Sequence, residues 1–135
     1  MTVPSVSDQL PTLTIDVSAT VIVAGAIATR DFMPVHHDRA YANAQGAPDI
    51  FMNILSSNAY CGRFLTDWAG REAMIKRLAI RLGVPVHPGS KLVFTGHVTA
   101  VSEGADGPLV DVDFRATNDL GDHLTGTATL SLLAD

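Results

Sequence analysis

The sequence predicts an α+β fold in which an antiparallel sheet wraps around one long, apolar helix. Two features of the hydrophobic pattern support this prediction. Apolar residues recur at helical spacing from Asp49 to about Trp68, and from Met74 onward they alternate with polar residues as in half-buried strands. Because such a helix is apolar on more than one side, we expect the strands that follow it to cover it.

The elements before the long helix are short. Residues 13–17 alternate in the manner of a strand. For the next segment two alternatives stay open, because Ser18 or Thr20 could cap a helix running toward Thr29, whereas the β-branched run at residues 20–23 favours a strand.

The long helix is expected to end at Gly70. Cys61 lies within it and is interpreted as a small buried hydrophobe, since nothing nearby in the sequence would lower the pKa of its thiol. Its aromatic residues could line a ligand pocket, but at helical spacing they are more often core, so they are not assigned: Phe51, Tyr60, Phe64 and Trp68.

Four alternating segments after the helix predict antiparallel strands, at residues 74–82, 91–101, 110–117 and 123–132, with a loop at 102–108. A single sheet of this kind leaves an exposed edge, so we expect dimerisation. Several basic residues around the first of these strands could meet the phosphates of a ligand or simply form a solvated face: Arg71, Lys76, Arg77 and Arg81.

Composition and charge exclude several classes of function. The 135 residues are 47% hydrophobic and 17% charged, which suits one globular domain at residues 12–135 behind a loose arm at residues 1–11. The net charge is −5 without a basic block, so we expect no nucleic-acid partner. One cysteine, no leader-like N-terminal segment and no apolar run of spanning length predict a cytoplasmic protein that does not enter a membrane.

The candidate reactive residues are Asp31 and His36, which stand five residues apart around Pro34. Proline fixes its own backbone and keeps Met33 out of the helical region, so the carboxylate and the imidazole lie on either side of a stiff bend. Such a pair can orient one water, remove its proton and return a proton to the product. Spacing alone also allows the commoner case, in which Asp31 is a turn residue and His36 is structural.

A metal site at His36, His37 and Asp38 is not expected. Adjacent side chains of an extended segment point to opposite faces, so the two imidazoles could not easily share one metal. We expect His37 and Asp38 instead to support the loop by hydrogen bonds or to mark its exit. The remaining histidines have no acidic partner at motif spacing and are expected to be structural: His87, His97 and His123.

The bend resembles the signature of the MaoC-like, R-specific enoyl-CoA hydratases, which have the hotdog fold. That signature reads Asp-x-Asn-Pro-x-His, one further residue and Asp, and residues 31–38 match it except that Met33 replaces the asparagine. A second stretch, PDIFM at residues 48–52, is similar to the family's Pro-x-x-His-Gly, with Phe51 and Met52 in place of His-Gly. The resemblance covers nearly the whole chain.

The resemblance implies hydration of a 2-enoyl-CoA to the 3-hydroxyacyl-CoA. It implies Asp31 and His36 as the catalytic residues and the backbone N–H of Met52 as the donor to the thioester oxygen, because the family's glycine offers its N–H there. CoA enters as part of the substrate, so no cofactor and no metal are expected.

A closer resemblance is to the small subunit of the heteromeric MaoC-like hydratases of actinobacterial cholesterol side-chain degradation. It implies a steroid enoyl-CoA substrate and a longer MaoC-like partner subunit in an α2β2 heterotetramer, with this chain supplying the Asp/His pair. Five short sequence blocks, which occur in the same order in that subfamily, support this resemblance: ATRD with VHHDR at 28–39, DIF at 49–51, TDWAG at 66–70, RLGVP at 81–85 and LGDH at 120–123.

Two other functions remain as alternatives. A hotdog thioesterase would hydrolyse an acyl-CoA rather than hydrate it. A non-catalytic subunit would only shape the acyl-CoA site of its partner, an alternative suggested by the departures at Met33, Phe51 and Met52.

Overall fold

The predicted α+β class is confirmed by the computed structural model, which describes residues 2–132. Five antiparallel strands form one sheet in the order β1-β3-β4-β5-β2. The elements along the chain are Leu13–Asp16 (β1), Ala19–Ala28 (α1), a 3-10 turn at Pro34–His36, Arg39–Ala44 (α2), Ile54–Ala69 (α3), Met74–Leu82 (β2), Lys91–Gly104 (β3), Gly107–Asn118 (β4) and Gly121–Ser131 (β5). The end of the predicted domain, residues 133–135, lies outside the described residues.

The sheet packs on α3 through an aromatic cluster. Phe64 of α3 lies with its ring 5.7 Å from that of Phe94 in β3 and 6.1 Å from that of Phe114 in β4. Gly96 and Gly126 stand on either side of Phe114 across the sheet. A Cβ on Gly126 would collide with the Phe114 ring, so the glycines provide the space in which this ring reaches the helix.

The segment that the sequence left undecided is a helix. Ser18 caps α1, because its Oγ accepts a hydrogen bond from the N–H of Val21 at 3.1 Å. Ile22 and Ala26 are buried, and Gly25 lets α1 approach Ser56 of α3 closely. Tertiary packing of this face outweighs the strand preference of the β-branched run.

The long helix begins later than predicted, at Ile54 rather than Asp49. The Asp49 side chain accepts from the N–H of Ile50, and the two following N–H groups donate to distant carbonyls, Phe51 to Val35 and Met52 to Val86. A helix from Asp49 would need the carbonyls of Ile50 and Phe51 as acceptors for the N–H groups four residues later, but they bond to the rings of His87 and His36 instead. Asn53 is the N-cap, with its Oδ1 accepting from Ser56 at 3.2 Å.

The predicted loop at residues 102–108 is wrong in extent. Strands β3 and β4 continue toward each other until Gly104 pairs with Gly107, which leaves a two-residue turn. Gly107 has a φ of 120°, and this value favours glycine over any residue with a side chain. The β3–β4 hairpin is therefore longer than its polar sequence indicated.

The N-terminal arm is not loose where it meets the sheet. The N–H of Ser7 donates to Val98 at 2.8 Å, the N–H of Leu10 donates to Gly96 at 2.9 Å, and Leu10 is buried. Residues 7–10 therefore lie along β3. Within residues 2–132, no helix has both the length and the apolar character needed to cross a membrane.

Candidate active site

The structure brings Asp31 and His36 together, with Asp31 Oδ2 3.2 Å from His36 Nε2. Asp31 follows α1, and its N–H donates to the carbonyl of Ala26 at 2.9 Å. Between the end of α1 and Asp31, Arg30 adopts a φ of 58°, which turns the chain sharply. His36 lies in the 3-10 turn that begins at Pro34, so the stiff bend predicted from the sequence places both side chains on one side of the loop.

The imidazole of His36 is oriented by the main chain before α3. Its Nδ1 lies 2.7 Å from the carbonyl oxygen of Phe51, and the Phe51 ring packs edge-on against it at 5.1 Å between centroids. Since a carbonyl can only accept, this contact assigns the proton to Nδ1. The other nitrogen, Nε2, faces Asp31 as an acceptor when the ring is neutral. Both atoms can then accept a hydrogen bond from one donor, such as a water molecule.

The Asp31 carboxylate accepts two further hydrogen bonds. Asn53 Nδ2 donates to Oδ2 at 3.1 Å, and the N–H of Met33 donates to Oδ1 at 3.3 Å. The hydrogen bond from Asn53 is the main cause that lowers the pKa of Asp31. Partial burial acts in the opposite direction, whereas the Met33 N–H and the charge of His36 lower the pKa further. Asp31 is therefore held as a carboxylate that accepts hydrogen bonds rather than as a proton donor.

The expected oxyanion donor, the backbone N–H of Met52, is already engaged. It donates to the carbonyl of Val86 at 3.0 Å, and the Met52 residue is buried. This contradicts the geometry expected for it, because Met52 lies in the extended stretch before the N-cap and not in the first helical turn. Within the described chain, the first-turn N–H groups of Ile54 and Leu55 donate to no protein acceptor. They are the better candidates for binding an oxygen.

Of the two residues after the pair, Asp38 supports the loop by a hydrogen bond, as predicted. Asp38 is the N-cap of α2 and its Oδ1 accepts from the N–H of Tyr41 at 3.1 Å. His37 is exposed at the end of the 3-10 turn. In the part of the chain that the structure describes, no three His, Cys, Asp or Glu side chains converge as a set of metal ligands.

His123 and Cys61 are buried away from the pair. His123 joins β5 to α3, because its Nδ1 lies 2.7 Å from the carbonyl of Val84 and its Nε2 lies 2.8 Å from Ser57 Oγ. Burial lowers the pKa of His123 and raises the pKa of the Cys61 thiol to about 12. The interpretation of Cys61 as a buried hydrophobe is confirmed, and the His123 contacts fit a structural role.

Large apolar side chains are exposed beside the pair. Phe32 and Met33 directly follow Asp31 and are 65% and 52% exposed, while Ile54 and Leu55 directly follow Asn53 and are about half exposed. Because Asn53 contacts Asp31, one exposed apolar pair follows each of the two residues of this contact. A separate groove of about 600 Å³ lies across the polar outer face of the sheet, between Thr95 and Thr127, and contains neither Asp31 nor His36.

Three contributions to the site were missed in the sequence. Asn53 binds Asp31, Thr29 Oγ1 accepts from Asn53 Nδ2 at 2.9 Å, and the Phe51 carbonyl orients His36. Asparagine just before a helical run is a typical N-cap, and this signal could have identified Asn53. No sequence signal could have identified the carbonyl of Phe51, because every residue has one.

Comparisons with known proteins identify relatives of the chain. No protein-family model matches the chain. It is 48% identical to the 3-oxo-4,17-pregnadiene-20-carboxyl-CoA hydratase beta subunit of Mycobacterium tuberculosis over 123 residues, 91% of this chain and 92% of that protein.

Two solved structures show the same fold. A chain of the ChsH1–ChsH2 complex from Mycobacterium tuberculosis is similar with a TM-score of 0.90 and 48% identity, covering 98% of this chain and 99% of that chain. The (R)-hydratase from A. caviae involved in PHA biosynthesis is similar with a TM-score of 0.82 and 22% identity, covering 98% and 99%. These likenesses confirm the predicted hotdog fold.

Proposed function

Since this chain belongs to the MaoC-like enoyl-CoA hydratases, we propose that it hydrates a steroid 2-enoyl-CoA to the 3-hydroxyacyl-CoA as the catalytic subunit of a heteromeric enzyme. The observation that carries the proposal is the 3.2 Å contact between Asp31 Oδ2 and His36 Nε2. His36 has its Nδ1 proton fixed on the Phe51 carbonyl, which leaves Nε2 free to act as a base.

In the proposed reaction, Asp31 and His36 hold one water against C3 of the enoyl group. His36 Nε2 takes a proton as the water oxygen bonds to C3, and the π electrons of the double bond move toward the thioester oxygen. The Asp31 carboxylate stabilises the imidazolium that forms. The imidazolium then returns its proton to C2, so that the elements of one water are added and both side chains regain their starting states.

The negative charge that develops on the thioester oxygen requires N–H donors. We assign this role to the first turn of α3, at Ile54 and Leu55, instead of Met52. Their N–H groups have no protein acceptor within residues 2–132, and the helix N-terminus favours negative charge. Their neighbour Asn53 touches Asp31, so this turn lies next to the reacting pair.

The substrate and partner proposals rest on the relatives together with the surface of this chain. One relative is named as a hydratase of a pregnadiene carboxyl-CoA, and one similar structure is a complex of two different subunits. The exposed residues Phe32, Met33, Ile54 and Leu55 form an apolar border beside the pair, and a second subunit would remove it from water. We therefore propose a longer MaoC-like partner in an α2β2 heterotetramer that completes the acyl tunnel, with CoA entering only as substrate.

The test is to co-express the chain with a longer MaoC-like subunit and to follow the loss of enoyl-thioester absorbance. A steroid enoyl-CoA and crotonyl-CoA serve as the two substrates. Asp31→Asn and His36→Ala should each lower kcat by roughly 100-fold or more, because they remove general acid–base catalysis. Asp67→Asn, an exposed aspartate of α3, is the matched control and should keep full activity.

The two alternative functions, a thioesterase and a non-catalytic subunit, would give different results in these assays. Free thiol released from a saturated acyl-CoA would indicate a thioesterase. Full turnover in the Asp31→Asn complex would indicate a non-catalytic subunit. Losses below tenfold in both Asp31→Asn and His36→Ala would overturn the catalytic assignment.

A further inference from the structure

Asn53 connects the catalytic loop, residues 31–36, to the start of α3, although it is not part of the predicted motif. It is only 2% exposed, and its carboxamide makes three hydrogen bonds. Its two Nδ2 hydrogens go to Thr29 Oγ1 at 2.9 Å and Asp31 Oδ2 at 3.1 Å, and its Oδ1 accepts from Ser56 N–H at 3.2 Å.

The orientation of this carboxamide is set by its partners on both sides. Ser56 N–H can only donate and therefore requires the oxygen, while the carboxylate of Asp31 can only accept and requires the nitrogen. Capping α3 thus forces the NH2 group toward Asp31. A single buried side chain both caps the helix and binds the carboxylate.

We propose that Asn53 is a positioning residue, which aims Asp31 Oδ2 at His36 Nε2 and keeps the Asp31 side chain in its ionised form. The inference rests on the proposed function, because it assigns Asn53 a role in the same site. Asn53 acts through Asp31 and is not placed against substrate.

Among the described residues of the loop, His36 is the one whose side chain contacts the Asp31 carboxylate. Met33 is 52% exposed, and what it gives Asp31 is its backbone N–H, at 3.3 Å from Oδ1. The atom that faces His36 is the other carboxylate oxygen, Oδ2, and its side-chain donor comes from Asn53, 22 residues away. Within residues 2–132, His36 is the titratable side chain in contact with Asp31, and the Asn53 hydrogen bond acts on the same oxygen as its imidazole.

Thr29 holds the carboxamide from the opposite side. Its Oγ1 accepts from Asn53 and can donate to the carbonyl of Gly25 at 2.8 Å or of Ala26 at 3.1 Å. Thr29 is also the C-cap of α1. The hydrogen bonds therefore join the end of α1, the catalytic loop and the start of α3, and a shift of either helix would move Asp31.

The test uses two variants that keep the helix cap but remove the donor. Serine and aspartate cap helices about as well as asparagine does. Asn53→Ser is too short to reach Asp31, and Asn53→Asp places an acceptor where the NH2 group was. In the assembled complex, both should lower kcat by roughly 10- to 100-fold with little change in KM, because displacement of a reacting group slows chemistry more than binding.

The pH profile distinguishes positioning from a purely structural role. Loss of the donor disfavours the carboxylate, so the part of the kcat/KM profile that reports Asp31, below the protonation of His36, should move to higher pH, further in Asn53→Asp than in Asn53→Ser. Thr29→Val, which removes the second partner of the same NH2 group, should show a smaller loss of kcat. Ser18→Ala is the control, because it removes the cap of α1 without touching Asp31 and should lower only the Tm.

A normal kcat and an unchanged pH profile in Asn53→Ser would overturn the inference. If Asn53→Asp does not assemble, Asn53→Ser and Thr29→Val decide the matter alone, and normal kinetics in both would overturn it. Failure of the proposed function looks different, because Asp31→Asn would then retain activity whatever the Asn53 variants do.

Discussion

His36 Nδ1 lies 2.7 Å from the carbonyl oxygen of Phe51, and this contact sets the direction of the imidazole. Phe51 stands where the MaoC-like signature has a histidine. This departure was one reason to consider a non-catalytic subunit. The contact uses the backbone, however, and is independent of the side chain at this position. The departure at Phe51 therefore leaves the orientation of His36 intact.

We predict that Phe51→Leu reduces kcat only about 3- to 10-fold, because it removes edge-on packing worth about 0.5–1.5 kcal/mol and keeps the carbonyl. The Phe51 ring contacts both His36 and His87 edge-on. Steady-state kinetics of the complex would measure the change, with His36→Ala as the reference for complete loss. A drop as large as that of His36→Ala would show that the ring does more than pack.

Protonation of His123 should destabilise the fold. Burial lowers its pKa, so the folded state favours the neutral ring and the unfolded state binds the proton more tightly. Stability is therefore present in full above the unfolded pKa of about 6.5 and is lost as the pH falls toward the lower folded value. The free energy of unfolding in urea, measured from pH 7.5 to 5, should fall less steeply in His123→Gln.

The control for this prediction is His97→Gln, since His97 is exposed on the sheet. It should show the same pH dependence as the unmodified chain. If the free energy of unfolding fell equally steeply with falling pH in His123→Gln and in the unmodified chain, the role assigned to His123 would be contradicted.

Two glycines should respond in opposite ways to substitution by alanine. Gly126→Ala places a Cβ against the Phe114 ring and should destabilise the fold by about 1–3 kcal/mol, as overpacking does. Gly62→Ala, in the interior of α3 with no heavy atom within 4 Å of the added Cβ, should stabilise it by about 0.5–1 kcal/mol. Chemical denaturation would measure both.

The origin of the Gly126 effect can be checked in a second background. With Phe114→Leu in place, the cost of Gly126→Ala should shrink, because the smaller side chain removes the collision. An unchanged cost would mean that strain in the β5 backbone, and not the Phe114 ring, requires the glycine.

Cys61 should be unreactive in the folded protein. Its thiol is fully buried and has a pKa of about 12, so almost no thiolate exists at pH 8. Ellman's reagent should detect no thiol in the native chain at that pH and one thiol per chain in guanidinium chloride. Rapid labelling of the native chain would indicate that α3 opens from the sheet.

Most of the fold could be predicted because its signals are local. The period of two predicted β2 to β5, and the helical period predicted α3, since each pattern reflects which face of an element is buried. The boundaries were less accurate at Asp49 and at residues 102–108. Both depend on partners elsewhere in the chain, namely Val86 for Met52 and strand β4 for the end of β3.

The candidate site shows the same difference between local signals and partners elsewhere in the chain. The sequence by itself determined that Asp31 and His36 flank a bend stiffened by Pro34, and the family resemblance, more than the spacing, indicated that they act as a pair. Tertiary structure alone decided which atoms surround them: Asn53 on Asp31, the Phe51 carbonyl on His36, and Val86 in place of a substrate oxygen on the N–H of Met52. The physical reason is that each of these groups could bond to many partners, and only the packing of α1, α3 and the sheet selects one.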